Sequence, residues 1–179
     1  CPQEYCQQMA NWLRAQGVDI RYGTKVHHII KQQDGWELAT DAGAVHAATV
    51  VLATGAELNN LAAEPSFPLR QIRGQVSHLQ SHRMAPLKTV VCHQGYITPA
   101  YQQVHCVGAT FDRTAGHSEV RAADDQQNLD LVNHTLGKPD WFEDVSIISA
   151  KAGLRATVPD HMPVLGKHNQ LWRFGALGA

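Results

Sequence analysis

The first third of the chain combines a helical and an extended pattern of apolar positions. Apolar residues recur every three or four positions over 4–16, which predicts a helix that ends at Gly17 and turns one face to a core. That face consists of Tyr5, Met9, Trp12 and Leu13. Extended segments follow at 18–22, 25–33, 36–40 and 45–53, with Asp34-Gly35 as a hairpin turn. The pattern predicts one helix, one strand and a three-stranded meander.

Strands dominate the rest of the chain. A linker rich in Asn, Ala and Pro at 57–68 predicts a domain crossing. The polar loop 112–121 leads into a predicted helix at 122–135, whose apolar side carries Leu129, Val132 and Leu136. Extended segments are predicted at 72–79, 89–92, 96–98, 105–111, 146–155 and 171–174. The order of elements predicts a mixed α and β architecture with a largely antiparallel second half.

Composition and charge restrict the class of protein but indicate no partner. The chain has 179 residues, of which 44% are hydrophobic, enough for a globular domain with a sizeable core. Fifteen basic and 16 acidic residues give a net charge of −1, so charge alone does not indicate a nucleic-acid partner. No apolar run approaches the length of a membrane span, and we expect no membrane partner.

Cysteine and histidine positions do not follow a metal-binding pattern. The cysteines Cys1, Cys6, Cys92 and Cys106 are scattered, and reduced cytosolic thiols are the simple interpretation. The 11 histidines show no His-Glu-x-x-His spacing. We therefore expect no metal site, and we interpret His78, His105 and His161 as structural or surface residues.

Two segments carry candidate chemistry. Residues 153–166 (Gly-Leu-Arg-Ala-Thr-Val-Pro-Asp-His-Met-Pro-Val-Leu-Gly) place Arg155 among glycines and prolines. Pro159 and Pro163 fix φ and lack a donor, so this is not a helix interior. An arginine in such a place is either an exposed loop charge or a planar clamp for an anion. Residues 50–56 form an apolar strand that ends in Ala-Thr-Gly-Ala.

Together these segments resemble the amine-oxidising flavoproteins of the D-amino-acid oxidase and glycine oxidase superfamily. Other segments narrow the resemblance to the FAD-dependent domain of the MnmC family, bifunctional enzymes that modify the wobble uridine of tRNA. They are 72–78 (Ile-Arg-Gly-Gln-Val-Ser-His), 95–99 (Gly-Tyr-Ile-Thr-Pro), 105–111 (His-Cys-Val-Gly-Ala-Thr-Phe) and 124–128 (Asp-Asp-Gln-Gln-Asn). The likeness covers nearly the whole chain, and the first and last of these segments are its most specific parts.

The resemblance implies a division into domains. A partial FAD-binding domain of the glutathione-reductase type is expected at 1–62, a substrate-binding domain at 63–152, and a return to the FAD-binding domain at 153–179. The chain contains no Gly-x-Gly-x-x-Gly turn, which seats a pyrophosphate on a helix N-terminus. In the family that turn lies upstream of the position of Cys1, so we expect an excised fragment that does not retain FAD.

The resemblance also implies site residues. Arg155 corresponds to the family's carboxylate-binding arginine and Tyr96 to a tyrosine on the same carboxylate, although Tyr96 is equally interpretable as a half-buried strand residue. Gly74 permits close backbone approach to the flavin, or is a β-bulge glycine without a ligand. No catalytic acid or base is expected, because the flavin accepts the hydride. The implied FAD contacts, several of them through the backbone, are Val26, Ala53, Thr54, Gly55, Arg73, Gly74, Gln75, Gly175, Ala176, Leu177 and Gly178.

The resemblance implies that the intact protein oxidises the carboxymethylamino arm of a wobble uridine in tRNA, leaves the aminomethyl form and releases glyoxylate. A methyltransferase domain in the same polypeptide and a cytoplasmic location are expected with it. Arg113, Arg121 and Lys151 are candidate contacts to tRNA phosphates, or else scattered solvated charges. Two other functions stay open: a small-amine oxidase acting on glycine or sarcosine, and a non-catalytic interaction domain without flavin.

Overall fold

The computed structural model describes residues 2–61, 67–168 and 171–176. It divides into two compact units, Cys1–Val50 with His168–Leu171, and Val51–Lys167 with Trp172–Ala179. The elements are α1 (Pro2–Ala15), β1 (Val26–Gln32), β2 (Gly35–Thr40), β3 (Gly43–Ala47), β4 (Val50–Leu52), α2 (Leu58–Leu61), β5 (Arg70–Gln80), β6 (Val91–Cys92), β7 (Tyr96–Ile97), β8 (His105–Gly108), α3 (Ala122–Leu136), β9 (Ser146–Thr157), β10 (Val164–His168) and β11 (Leu171–Gly175). The assignment of 1–62, 63–152 and 153–179 to FAD-binding and substrate-binding domains stays a prediction.

The first unit contains α1 and the predicted meander β1-β2-β3, which is antiparallel throughout. The predicted hairpin is confirmed, but its two turn residues are Gln33 and Asp34, and Gly35 is already paired with Gln32. Gly35 has a φ of +155°, and a Cβ there would lie 2.6 Å from the carbonyl oxygen of Ala47. Only glycine fits this position, so Gly35 sets the start of β2 and the pairing of Trp36 with Ala47.

The apolar stripe of α1 is exposed, and the prediction that it faces a core is wrong. Tyr5 is 67% exposed and Trp12 is 58% exposed, and none of the described residues of α1 is buried. Helical spacing gathers apolar side chains on one face, but it does not supply the element that covers this face.

The predicted strand at 18–22 is also wrong. The amide of Gly17 donates to the carbonyl of Arg14, and the amide of Val18 donates to the carbonyl of Leu13. Gly17 has a φ of +84°, the left-handed conformation that ends many helices. The segment after it therefore belongs to the helix end and an irregular turn, and it pairs with no strand in the described residues.

The second unit is built on a five-stranded sheet with strand order β6-β7-β8-β5-β9 and antiparallel neighbours. The strands predicted at these positions are confirmed, although β6 and β8 are shorter than 89–92 and 105–111. β5 and β9 pair along nearly their full length, with one irregularity between His78 and Leu79. This long pair forms the frame on which the candidate site lies.

Helix α3 packs against one face of this sheet. Its Val132 joins Leu79, Ile97 and Val107 in the core, and Leu129 and Leu136 pack against that core. The predicted apolar side of the helix is therefore confirmed. Gly137 ends the helix in the left-handed conformation, with a φ of +58°.

A smaller sheet has strand order β10-β11-β4. Residues 45–53, predicted as the last strand of the meander, instead form two strands, β3 and β4, in different sheets. Strand β10 was not predicted, because its apolar run is short and follows Pro159 and Pro163. None of the described helices has both the length and the apolar character needed to cross a membrane.

Candidate functional site

One face of the five-stranded sheet carries the predicted substrate-binding residues. β5 and β9 pair so that Arg155 lies opposite Ile72 and Gly153 lies opposite Gly74. Directly paired residues point to the same face of a sheet, and alternate residues along each strand return to it. Arg155, Gly153 and Lys151 of β9 therefore share one face with Gly74 of β5, and we call this the open face.

The guanidinium of Arg155 lies against the backbone of Gly74. A Cβ at Gly74 would lie 2.8 Å from Nη2 of Arg155 and 3.1 Å from the carbonyl oxygen of Thr110. Glycine is the residue that permits this close approach. Its cross-strand partner Gly153 differs, because a Cβ there would meet nothing within 4 Å. The open face is thus covered by a guanidinium at Gly74 and free of side chains at Gly153.

Tyr96 lies on the same face at the far side of the sheet. It pairs with Gly108, which in turn pairs with Val76 of β5. Burial raises the pKa of the Tyr96 phenol to about 12, the thiol of Cys106 acts in the same direction, and the charge of Arg155 opposes both. The phenol oxygen lies 3.9 Å from Sγ of Cys106. At neutral pH Tyr96 is therefore a protonated donor within electrostatic reach of Arg155.

This arrangement suits an anion. Within the described ranges the half-buried guanidinium of Arg155 makes no hydrogen bond or salt bridge, so its donors are available. A guanidinium binds a carboxylate through two parallel charge-assisted hydrogen bonds, and a nearby phenol can add a third. The structure thus places the two residues predicted to bind substrate on one face of the sheet, within electrostatic reach of each other.

The opposite face of β5 carries a buried polar network. The side chains of Arg73, Gln75 and Ser77 alternate with the open-face residues and are fully buried. Nη1 of Arg73 donates to Asp124 of α3 at 2.5 Å, and its Nη2 donates to Gln75 at 2.9 Å. These side chains face away from the open face, so only the backbone of Arg73 and Gln75 remains for the predicted contact with FAD.

Two sequence motifs meet in this network. Asp125 accepts hydrogen bonds from Gln75 at 2.8 Å and Ser77 at 2.6 Å. Asn128 donates to the hydroxyl of Ser77 at 3.1 Å and to the carbonyl of Gln75 at 3.0 Å. The Gly-Gln-Val-Ser-His and Asp-Asp-Gln-Gln-Asn segments therefore hold α3 against β5. Sequence reasoning missed this pairing, although polar residues at every second position of a strand were its signal.

The other predicted FAD contacts are spread over both units. Val26 begins β1 in the first unit and is half-buried. Ala53, Thr54 and Gly55 follow β4 and are exposed, whereas Gly175 and Ala176 lie at the end of β11 and are buried. Leu177 and Gly178 lie outside the described residues. No group of three or more His, Cys, Asp or Glu in the described ranges is placed to hold a metal ion.

The chain belongs to the DAO family of FAD dependent oxidoreductases, whose model matches residues 1–178. The family expected from segments 50–56 and 153–166 is thereby confirmed. At the level of particular proteins, the chain is 35% identical over 170 residues to the tRNA 5-methylaminomethyl-2-thiouridine biosynthesis bifunctional protein MnmC of Shewanella amazonensis, covering 92% of this chain and 26% of that protein. The protein of the same name from Aeromonas hydrophila is 33% identical over 171 residues, covering 93% and 26%. The chain thus spans about a quarter of the length of these curated relatives.

Solved structures support the fold. Glycine oxidase from Geobacillus kaustophilus superposes with a TM-score of 0.75 at 24% identity, covering 85% of this chain and 42% of that one. L-proline dehydrogenase from P. horikoshii superposes with a TM-score of 0.84 at 15% identity, covering 99% and 50%. The mixed α and β architecture expected from the sequence is that of FAD-dependent oxidoreductases.

Proposed function

We propose that this chain is part of an FAD-dependent amine oxidoreductase that acts on a CH–NH bond and binds the carboxylate of its substrate with Arg155 and Tyr96. The observation that carries the proposal is the unpaired guanidinium of Arg155 over Gly74, on the same face as a protonated Tyr96. A substrate held by its carboxylate has its reacting C–H bond placed at a defined distance from this anchor.

The open face has room for a flat cofactor at Gly153, where no side chain lies within 4 Å of the position of a Cβ. FAD would contact the backbone of Arg73, Gly74 and Gln75, and would supply the hydride acceptor. The exposed Thr54-Gly55 turn and the residues from Gly175 would hold its other parts, in an FAD-binding domain of the glutathione-reductase type. The remaining implied contacts are Val26, Ala53, Ala176, Leu177 and Gly178.

We propose modified tRNA as the substrate because of the likeness to MnmC proteins. The reacting group would be the carboxymethylamino arm of a wobble uridine. Oxidation of its C–N bond followed by hydrolysis would leave the aminomethyl form and release glyoxylate. A methyltransferase domain in the same polypeptide and a cytoplasmic location belong to this proposal.

Of the three candidate phosphate contacts, Lys151 fits tRNA best. Arg121 forms a salt bridge with Asp112 at 2.9 Å, and Arg113 lies 5.4 Å from the ring centre of Phe111. Lys151 is exposed and lies on the open face four positions from Arg155, or roughly 13 Å along an extended strand. A nucleotide whose arm is bound at Arg155 has its phosphate on the far side of the base, where Lys151 supplies a positive charge.

Two variants of the full-length protein test the proposal. Arg155→Ala is expected to lower kcat/KM by an amount that corresponds to a loss of about 2–4 kcal/mol of transition-state stabilisation, because a charge-assisted bidentate contact is lost. Lys151→Gln should weaken turnover of modified tRNA and reduce its salt dependence, while Lys88→Gln, the same charge change outside the open face, should alter neither. Unchanged kinetics in Arg155→Ala would remove the carboxylate site. Preference for free glycine over modified tRNA would indicate a small-amine oxidase instead.

A further inference from the structure

A cavity lies at the end of the five-stranded sheet opposite to Arg155, within the same unit. Its volume is about 460 Å³, in the range of small-molecule sites. Ser146 at the start of β9 lines it, nine positions from Arg155, or roughly 30 Å along an extended strand. The cavity is therefore separate from the open face. Its polar lining also includes Gln80, Gln103, His105 and Asp144.

His105 presents a free acceptor to this cavity. The residue is 1% exposed, and its Nδ1 lies 2.8 Å from the carbonyl oxygen of Thr98. A carbonyl oxygen only accepts, so Nδ1 carries the hydrogen, and Nε2 of the neutral ring is left as an acceptor. Within the described part of the chain Nε2 has no hydrogen-bond partner. An unpartnered acceptor in the lining of a cavity favours a ligand that donates an N–H or O–H.

The backbone of Gln103, a residue that lines the cavity, is strained. Gln102 and Gln103 have φ values of +50° and +66°, between the bridged residues Tyr101 and Val104. Such two-residue hairpin turns normally take Asn and Gly, because other residues are strained there. The amides of Gln103 and Gln80 have no hydrogen-bond partner among the described residues. Strain of this kind tends to persist at binding sites.

The charge of the cavity excludes anions. Its described lining contains no Lys or Arg. Asp144 is its carboxylate, and the hydroxyl of Ser81 together with the amides of His82 and Arg83 lowers the pKa of that carboxyl. Both carboxylate oxygens are thus already engaged. The groups left for a ligand are the imidazoles of His105 and His82, the hydroxyl of Ser146 and two carboxamides, which together suit a neutral, planar donor–acceptor edge.

We propose that this cavity binds an unstacked nucleobase, with an N–H of the base donating to Nε2 of His105 and the amide of Gln103 bonding the same edge. Proteins read single-stranded RNA by such contacts to bases splayed out of the stack. That the ligand is a nucleobase is inferred from the cavity alone. That this base belongs to a nucleotide of the bound tRNA outside the wobble position rests on the proposed function.

The first experiment titrates uridine and 3-methyluridine into the chain and follows the imidazole resonances of His105 by NMR. Uridine has an N–H on its base edge and 3-methyluridine has none. We expect uridine to shift the His105 resonances and to bind about three- to tenfold more tightly. Equal binding of the two nucleosides, or no shift of His105 with uridine, would overturn the proposal.

Matched variants separate binding from folding. Gln103→Gly and Gln102→Gly both relieve a left-handed residue, and each should raise the melting temperature by about 2–4 °C. Only Gln103→Gly removes an amide from the cavity, so it alone should weaken uridine binding, by about three- to tenfold. His105→Asn keeps a donor for Thr98 but removes Nε2 and should weaken binding similarly. An equal effect of both glycine variants on binding would contradict the proposal.

The same variants in the full-length protein identify the source of the base. Gln103→Gly should weaken binding of modified tRNA, whereas Gln102→Gly should leave it unchanged. Uridine binding without any effect on tRNA would keep the cavity as a nucleoside site and reject tRNA as its source. Failure of the nucleoside titration, with Arg155→Ala still inactive on modified tRNA, would reject the cavity and leave the proposed function intact.

Discussion

The contact between Gly74 and Arg155 shows how a single missing side chain shapes the open face. Gly74 and Gly153 are cross-strand partners, yet a Cβ would meet the guanidinium at the first and empty space at the second. The first glycine is therefore required by a close approach, and the second is not required by any described contact. Because the two glycines are cross-strand partners, substituting each by alanine gives a matched test of the close approach at Gly74.

Gly74→Ala is expected to lower the free energy of unfolding by about 1–3 kcal/mol, because the new methyl group is overpacked between Arg155 and the carbonyl of Thr110. Gly153→Ala should raise it by about 0.5–1 kcal/mol, because alanine loses less backbone entropy in a strand. Urea unfolding measures both, and the Nε–H resonance of Arg155 should shift in Gly74→Ala alone. Equal destabilisation by both variants would contradict the close approach.

Tyr96 gives a pH-dependent prediction. Its pKa rises from 10.0 to about 12 in the folded protein, chiefly through burial. A raised pKa contributes stability that is complete below the unfolded pKa and is lost as the pH rises through the folded pKa. The chain should therefore lose stability relative to Tyr96→Phe between about pH 10 and 12. Unfolding of both proteins at pH 9 and 12 measures this loss, and parallel curves would show that Tyr96 is not buried as described.

At the scale of elements, β5 is the strand on which both faces depend. One set of alternate residues supports Arg155, and the other set holds α3 through Asp125 and Asn128. The two functions are inseparable because a strand sends successive side chains to opposite faces. A change in the contact between α3 and β5 can therefore shift β5 and with it the residues of the open face.

Asn128→Ala should lower the free energy of unfolding by about 1–3 kcal/mol, because it leaves the carbonyl of Gln75 without this donor in a buried network. Gln127→Ala is the control, since Gln127 is the exposed neighbour in the same motif and should change stability by no more than about 0.5 kcal/mol. Thermal unfolding distinguishes them. Similar values for the two would mean that the network does not hold α3.

Local sequence patterns predicted which helices and strands form, but they did not predict what packs against each of them. The meander turn before Gly35, helix α3 and the long strands follow from apolar period and turn residues, and they form as expected. The exposure of the apolar face of α1 could not be predicted, because a stripe of apolar residues does not show whether another element covers it. The approach of Arg155 to Gly74 was also out of reach, because the two are 81 positions apart (155 − 74) and meet only through strand register.

At the scale of the whole molecule, the proposed FAD contacts come from several parts of the chain. The implied FAD contacts include Val26 in the first unit and Gly74 in the second. The 179 residues contain no Gly-x-Gly-x-x-Gly turn, the element that holds the pyrophosphate at a helix N-terminus. Backbone contacts from single strands and turns replace only a small part of that binding energy.

We therefore expect the 179-residue chain to purify without flavin and to lack oxidase activity, and the full-length protein to carry FAD. The visible absorbance spectrum of both proteins, normalised to protein concentration, measures the flavin content directly. Adding free FAD to the chain provides the control, because a chain that merely lost its cofactor during purification would regain the flavin spectrum after gel filtration. A stoichiometric flavin signal in either preparation of the chain would show that contacts such as Thr54-Gly55 and the Gly74 backbone suffice to hold FAD.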